Sequence, residues 1–196
     1  SGGLPPSAIQ ARMTHPERFV IAHPFNPPHL IPLVEVIGGD KTSDANAERA
    51  MEIMRGLGKK PIRLKREMIA YLTNRLQFAL LREAIHCLTL GVADARSIDD
   101  AIRYALAPRW LAMGGLMTLT LAGGNGGMEH VIKQFAPAID KWWGDLGEPH
   151  FTPETITALT KAGEELTDGR PISEWVAMRD RKLVELLDLM DNDPLR

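Results

Sequence analysis

One cysteine, Cys87, stands in 196 residues. No internal disulfide framework can hold the chain, and the expected setting is reducing and cytoplasmic. Charge of neither sign is in excess: 23 Lys and Arg against 25 Asp and Glu leave a formal net charge of −2, which argues against a nucleic-acid partner. No apolar run approaches the roughly 18–20 residues that span a bilayer, so no membrane partner is expected either. Short catalytic signatures are missing as well. The glycines of 114–129 lack the G-x-G-x-x-G spacing and a preceding strand, and read as helix punctuation and close packing. His15, His29, His86, His130 and His150 form no paired-ligand spacing, so no metal is expected. No G-x-S-x-G elbow offers a serine nucleophile. The remaining composition, 44% hydrophobic and 24% charged, is that of a globular chain of one domain or two small ones.

The first third alternates between strand and helix signals. A short helix over 5–13 is expected to begin on prolines. Compact apolar runs predict strands over 18–23, 32–39 and 61–65. Between the last two, 42–60 reads as a helix with a Thr-Ser-Asp start and Gly58 as its C-cap. After residue 66 strands vanish. One long helix is expected over 67–91, with Ile69, Leu72, Leu76, Leu80, Ile85 and Leu88 at helical spacing and enough apolar circumference to be largely buried. Further helices follow over 97–106 (Ser97 as N-cap), 128–143, 152–168 and 172–190. The fold class is therefore mainly α. Residues 1–66 read as the end of a larger α/β domain, and 67–196 as an all-α domain. Three strands and two helices cannot cover both faces of a parallel sheet, so further strands are expected from a preceding segment.

Chemistry concentrates in residues 22–37, "AHPFNPPHLIPLVEVI". His23 ends a strand and precedes Pro24, which holds its backbone extended. Sites in open α/β sheets lie beyond the carboxyl ends of strands, and an imidazole there exchanges protons near neutral pH. A strand-end His capping a loop is the plainer alternative. Glu35 lies among Val34 and Val36, where an unpaired carboxylate is costly. If the loop over 24–32 folds back, Glu35 meets His23 and forms a dyad for general acid–base work; a solvent-facing edge Glu is the alternative. Asn26 shares the same turn. Asn74 sits between Leu72 and Leu76 in the long helix, either facing solvent or binding a hydroxyl or carbonyl. Arg109 and Trp110 flank the glycine-rich stretch. Trp110, Trp142 and Trp143 could wall a cation or simply pack.

His-x-x-Asn-Pro, then Leu-Val-Glu, then Asn-Arg-Leu, in that order and spacing, resemble the L-3-hydroxyacyl-CoA dehydrogenase superfamily over nearly the whole chain. The fold implied is a truncated Rossmann α/β domain, whose C-terminal strands lie in 1–66, followed by a helical domain of the 6-phosphogluconate-dehydrogenase C-terminal kind. "APRWLAMGGLMTLTLAGGNGGMEHVIKQFAPAI" looks more like the branch of carnitine and L-gulonate 3-dehydrogenases than the acyl-CoA enzymes. The resemblance implies NAD-dependent oxidation of a secondary 3-hydroxyl to a ketone. It implies catalytic roles for His23, Glu35 and Asn74, with Asn74 orienting the substrate, and a cofactor contact for Asn26. The substrate expected first is a small carnitine-like 3-hydroxy acid, then a sugar-type acid such as L-gulonate, then an acyl-CoA; Arg109 and Trp110, by their own chemistry, are the further candidates for binding it. A homodimer built on the helical domain is also implied. Two departures stand out. The family's glycine-rich dinucleotide motif and ribose-binding acid are not in these residues, and Gly2 stands near the position of a substrate-contacting serine. A non-catalytic structural protein on the same fold is the rival. A 6-phosphogluconate-type reductase would need a lysine that "YLTNRLQ" lacks.

Overall fold

The computed structural model describes residues 3–191; Gly2 lies outside them. The chain forms two compact units, Ser1–Ala79 and Leu80–Arg196.

In the first unit, α1 (Pro6–Gln10) starts on Pro6, whose missing N–H is no loss in a first helical turn. Strands β1 (Val20–Pro24), β2 (Leu33–Gly38) and β3 (Lys60–Leu64) form one sheet in that order. β1 and β2 are antiparallel; β2 and β3 are parallel, joined across α2 (Asp44–Gly56). Val34, Glu35, Val36 and Ile37 are all buried. That explains why the run is apolar but for Glu35: β2 is the central strand, buried on both faces, so its residues do not alternate. Ala47 and Met51 of α2 are buried with it. α2 starts at Ser43, whose Oγ accepts from the Asn46 N–H at 3.2 Å, and Gly58 beyond its end has a φ of +74°. Both agree with the sequence reading.

Gln10 ties α1 to the sheet. Its side chain, 1% exposed, donates to the Pro16 carbonyl at 2.7 Å and to Thr42 Oγ1 at 2.8 Å, and accepts from the Lys41 N–H at 3.2 Å. A Cβ at Gly39 would fall 2.7 Å from the Ser7 nitrogen and into the Gln10 amide. Glycine is required at that approach.

α3 (Tyr71–Thr89) begins four residues later than the sequence predicts. Ala70 and Tyr71 both have positive φ, +66° and +56°. Two consecutive left-handed residues with side chains end the preceding segment before a right-handed helix can start, at a cost of about 1–2 kcal/mol each. Nor is α3 largely buried. Leu72, Leu76 and Phe78 are 43%, 65% and 53% exposed, so its apolar circumference exceeds what this chain covers.

The second unit is helical. α4 (Ala95–Ala101) is capped by Asp94, whose carboxylate accepts the Ser97 N–H at 2.7 Å. Asp94, not Ser97, is thus the cap: the helix starts earlier than expected, and Ser97 sits inside it, three residues beyond the cap. That hydrogen bond holds the Asp94 carboxyl below its ordinary range. α4 does not stop at residue 106. It widens into a π turn over Ile102–Leu106 and continues as α5 (Ala107–Met113). Pro108 has no N–H and would collide with the carbonyl four residues back; the wider turn accommodates it. α6 (Gly115–Ala122), which glycine content had hidden, then packs with α7 (Gly127–Asp145). α8 (Pro153–Thr167) starts at its Thr152 cap, and α9 (Ile172–Asp191) follows.

Glu83 of α3 accepts the Gly147 N–H at 2.9 Å, and a Cβ at Gly147 would run into the His86 ring. This is a second approach that only glycine permits. Cys87 Sγ lies 3.6 Å from Glu83 Oε1; burial, and then the Glu83 charge, push its thiol up. Among the described residues no helix is long and apolar enough to cross a membrane.

Candidate active site

The β1–β2 register places His23 directly opposite Glu35. Residues opposite one another in an antiparallel pair project to the same face. The proline-rich turn between them is therefore what lets a strand-end imidazole meet a carboxylate twelve residues on. Nδ1 of His23 lies 3.1 Å from Glu35 Oε2. The Glu35 side chain is fully buried, while the His23 ring keeps 16% of its surface exposed. The other Glu35 oxygen, Oε1, accepts the backbone N–H of Thr73 at 2.7 Å. Thr73 is in the first turn of α3, where free N–H groups and the helix dipole favour a negative charge. A buried carboxylate inside an apolar strand is tolerated here because both of its oxygens are engaged.

Two aromatic rings confine the imidazole. The Phe25 ring centroid lies 4.9 Å from that of His23, at 77°, and the Tyr71 centroid 5.1 Å away, at 71°. Tyr71 is 1% exposed. The arrangement suits proton transfer. A carboxylate accepting from Nδ1 fixes the tautomer with its proton on that nitrogen and leaves the Nε2 lone pair as a base.

The other site residues predicted from sequence fall as follows. Asn26 is exposed in the turn beyond β1, and the Asn26–Pro27 peptide is cis. Asn74 is half-buried in the first turn of α3, next to the residue whose amide holds Glu35. Arg109 and Trp110 lie on α5 in the helical unit, both exposed. Arg109 Nε donates to the Ala105 carbonyl of its own helix at 2.8 Å. Trp142 and Trp143, near the end of α7, are 59% and 67% exposed. Sequence reasoning missed the Thr73 amide, Phe25 and Tyr71. An aromatic two residues beyond the histidine, and another two residues before the predicted helical threonine, were the available signals.

Residues 1–68 match the family model described as 3-hydroxyacyl-CoA dehydrogenase, NAD binding domain, and residues 71–167 match its C-terminal domain. The chain is 41% identical over 187 residues to L-carnitine dehydrogenase of Pseudomonas aeruginosa, covering 95% of this chain and 58% of the relative. It is 38% identical over 192 residues to L-carnitine dehydrogenase of Oceanobacillus iheyensis, covering 98% and 62%. The chain thus spans about three fifths of the curated relatives it matches. Among solved structures it superposes with a TM-score of 0.81 and 25% identity on 5-formyl-3-hydroxy-2-methylpyridine 4-carboxylic acid 5-dehydrogenase, an NAD+-dependent dismutase, covering 98% of this chain and 62% of the other.

Proposed function

From the premise that this chain belongs to the 3-hydroxyacyl-CoA dehydrogenase family, we propose that it carries the acid–base centre of an NAD-dependent dehydrogenase. The reaction oxidises the 3-hydroxyl of a small, carnitine-like acid to the 3-keto compound. The observation that carries this reading is the buried Glu35 carboxylate held between His23 and the Thr73 amide. His23 takes the hydroxyl proton at Nε2. Glu35 keeps the imidazole in the tautomer that can accept it and stabilises the imidazolium that results. Asn74 orients the reacting hydroxyl.

NAD+, when bound, supplies the hydride acceptor. The residues present suit its nicotinamide end: Asn26, exposed and just beyond the carboxyl end of β1, offers an amide that both donates and accepts. We read residues 1–66 as the end of the dinucleotide-binding domain and 67–196 as the substrate and dimerisation domain. In the latter, Arg109 is proposed for the substrate carboxylate and Trp110 for its quaternary ammonium, over which an indole face is attractive. Resemblance at about 40% identity to enzymes named for L-carnitine supports that choice of substrate.

The test is NADH formation by the intact protein with L-carnitine, L-gulonate and a short 3-hydroxyacyl-CoA, side by side. The expected result is strong turnover of L-carnitine. A dominant signal on either of the others replaces the substrate but keeps the chemistry. NAD+ binding without turnover of any of the three, or no NAD+ binding at all, removes the proposed activity.

The proposed partner is a second copy of the chain. Leu116, Leu121, Phe135 and Trp143 of the helical unit are 79%, 54%, 42% and 67% exposed, more large apolar surface than solvent-facing helices usually carry. Light scattering is expected to give twice the monomer mass at micromolar concentration; a monomer mass overturns the dimer.

A further inference from the structure

We propose that Tyr71 is a positioning residue for His23, acting through its aromatic ring. The inference rests on His23 being the general base. Three observations meet at this residue. The Tyr71 ring is buried and stands edge-on to the imidazole at 5.1 Å. Phe25 stands edge-on at 4.9 Å. Tyr71 and Ala70 both occupy the left-handed region that residues with side chains avoid. The Tyr71 ring is buried in that conformation, and two residues later the Thr73 N–H reaches Glu35 at 2.7 Å. One turn of chain therefore touches both members of the pair, the ring against His23 and the amide against Glu35. Backbone strain held by its surroundings is characteristic of such sites.

The consequence is rotational. The imidazole keeps its bond to Glu35 only in a narrow range of ring angle, and two aromatic rings set T-shaped to it bound that range. Opposed polarity of ring edge and ring face makes these contacts orientation-dependent, which an aliphatic side chain cannot reproduce. A base misplaced by about 1 Å can lose up to roughly 10²-fold in rate. Phenylalanine keeps the ring and removes only the hydroxyl, so it separates the role proposed for the ring from any contact the hydroxyl makes.

The experiment compares Tyr71→Leu and Tyr71→Phe in the intact protein, with L-carnitine and NAD+, and reads the His23 ring nitrogens by NMR. Tyr71→Leu is expected to lower kcat roughly 10- to 100-fold with KM nearly unchanged. Its His23 nitrogens are expected to show a mixture of tautomers. Tyr71→Phe is expected to keep the wild-type kcat and a single tautomer with the proton on Nδ1. Wild-type kcat and tautomer in a folded Tyr71→Leu protein overturn the inference, and so does a Tyr71→Phe variant as impaired as Tyr71→Leu. If Tyr71→Leu does not fold, Tyr71→Met, also without a ring, is read instead, with the same expected loss of kcat and the same overturning result. His23→Ala on the same preparation separates the levels. If it keeps turnover, the acid–base reading falls; if it abolishes turnover while Tyr71→Leu is unaffected, only the role of Tyr71 falls.

Discussion

His23→Ala is expected to lower kcat by roughly 10²–10⁴-fold, the range general acid–base groups contribute, with little change in KM for L-carnitine. The reasoning is differential. The groups proposed to bind the substrate are Asn74, Arg109 and Trp110, whereas His23 is the group proposed to receive the proton that leaves the hydroxyl as hydride departs. Loss of kcat without loss of binding marks an interaction made in the transition state. The variant also carries a structural cost. Glu35 is fully buried, and without the imidazole one of its oxygens loses its partner while the other keeps the Thr73 amide. Leaving such a group unsatisfied costs about 1–3 kcal/mol. A thermal melt must therefore accompany the kinetics, so that rate loss is scored on folded protein. A folded His23→Ala protein with near-normal turnover removes His23 from the mechanism.

The pairing of His23 with Glu35 was legible in the sequence because it needs only two short strands and a turn. Once the prolines send the chain back, antiparallel register does the rest, and an acid among valines demands a partner. The alternation of strand and helix was legible for the same reason: Ser43 and Gly58 mark the ends of α2 by local chemistry. What could not be read depends on distant or unusual backbone. The Thr73 amide reaches Glu35 across thirty-eight residues, and any residue but proline supplies an N–H, so no side chain announces it. The late start of α3 follows from left-handed Ala70 and Tyr71, neither of which is a residue that favours that region. α6 was hidden by glycines that pack against helices as well as punctuate them. The exposure of Leu76 and Phe78 reverses the expectation that α3 is buried in this chain. Periodicity shows that a face is apolar and does not say which molecule covers it.

Glu35→Gln is expected to cost nearly as much as the loss of His23, for a reason that burial alone would not give. Glutamine matches glutamate in shape, so the core around β2 should keep its packing. Its amide, however, has one acceptor and one donor end, and Thr73 decides which is which. The Thr73 N–H needs an acceptor and sits 2.7 Å from Oε1; an NH2 group there would set donor against donor. The amide oxygen therefore turns to Thr73 and the NH2 turns to His23 Nδ1, now obliged to accept. The imidazole proton moves to Nε2, the nitrogen proposed to receive the substrate proton. A base that already holds its proton cannot act, so kcat should fall by roughly 10²–10⁴-fold with the fold intact. Nitrogen NMR of the His23 ring gives the independent reading: proton on Nδ1 in the wild type, proton on Nε2 in the variant. If the variant keeps the wild-type tautomer and rate, Glu35 is a structural acid and the pair is not a catalytic unit. If the tautomer changes and the rate does not, His23 is not the base. Only the two changing together support the assignment of orientation to Glu35 and Thr73, and of proton transfer to His23.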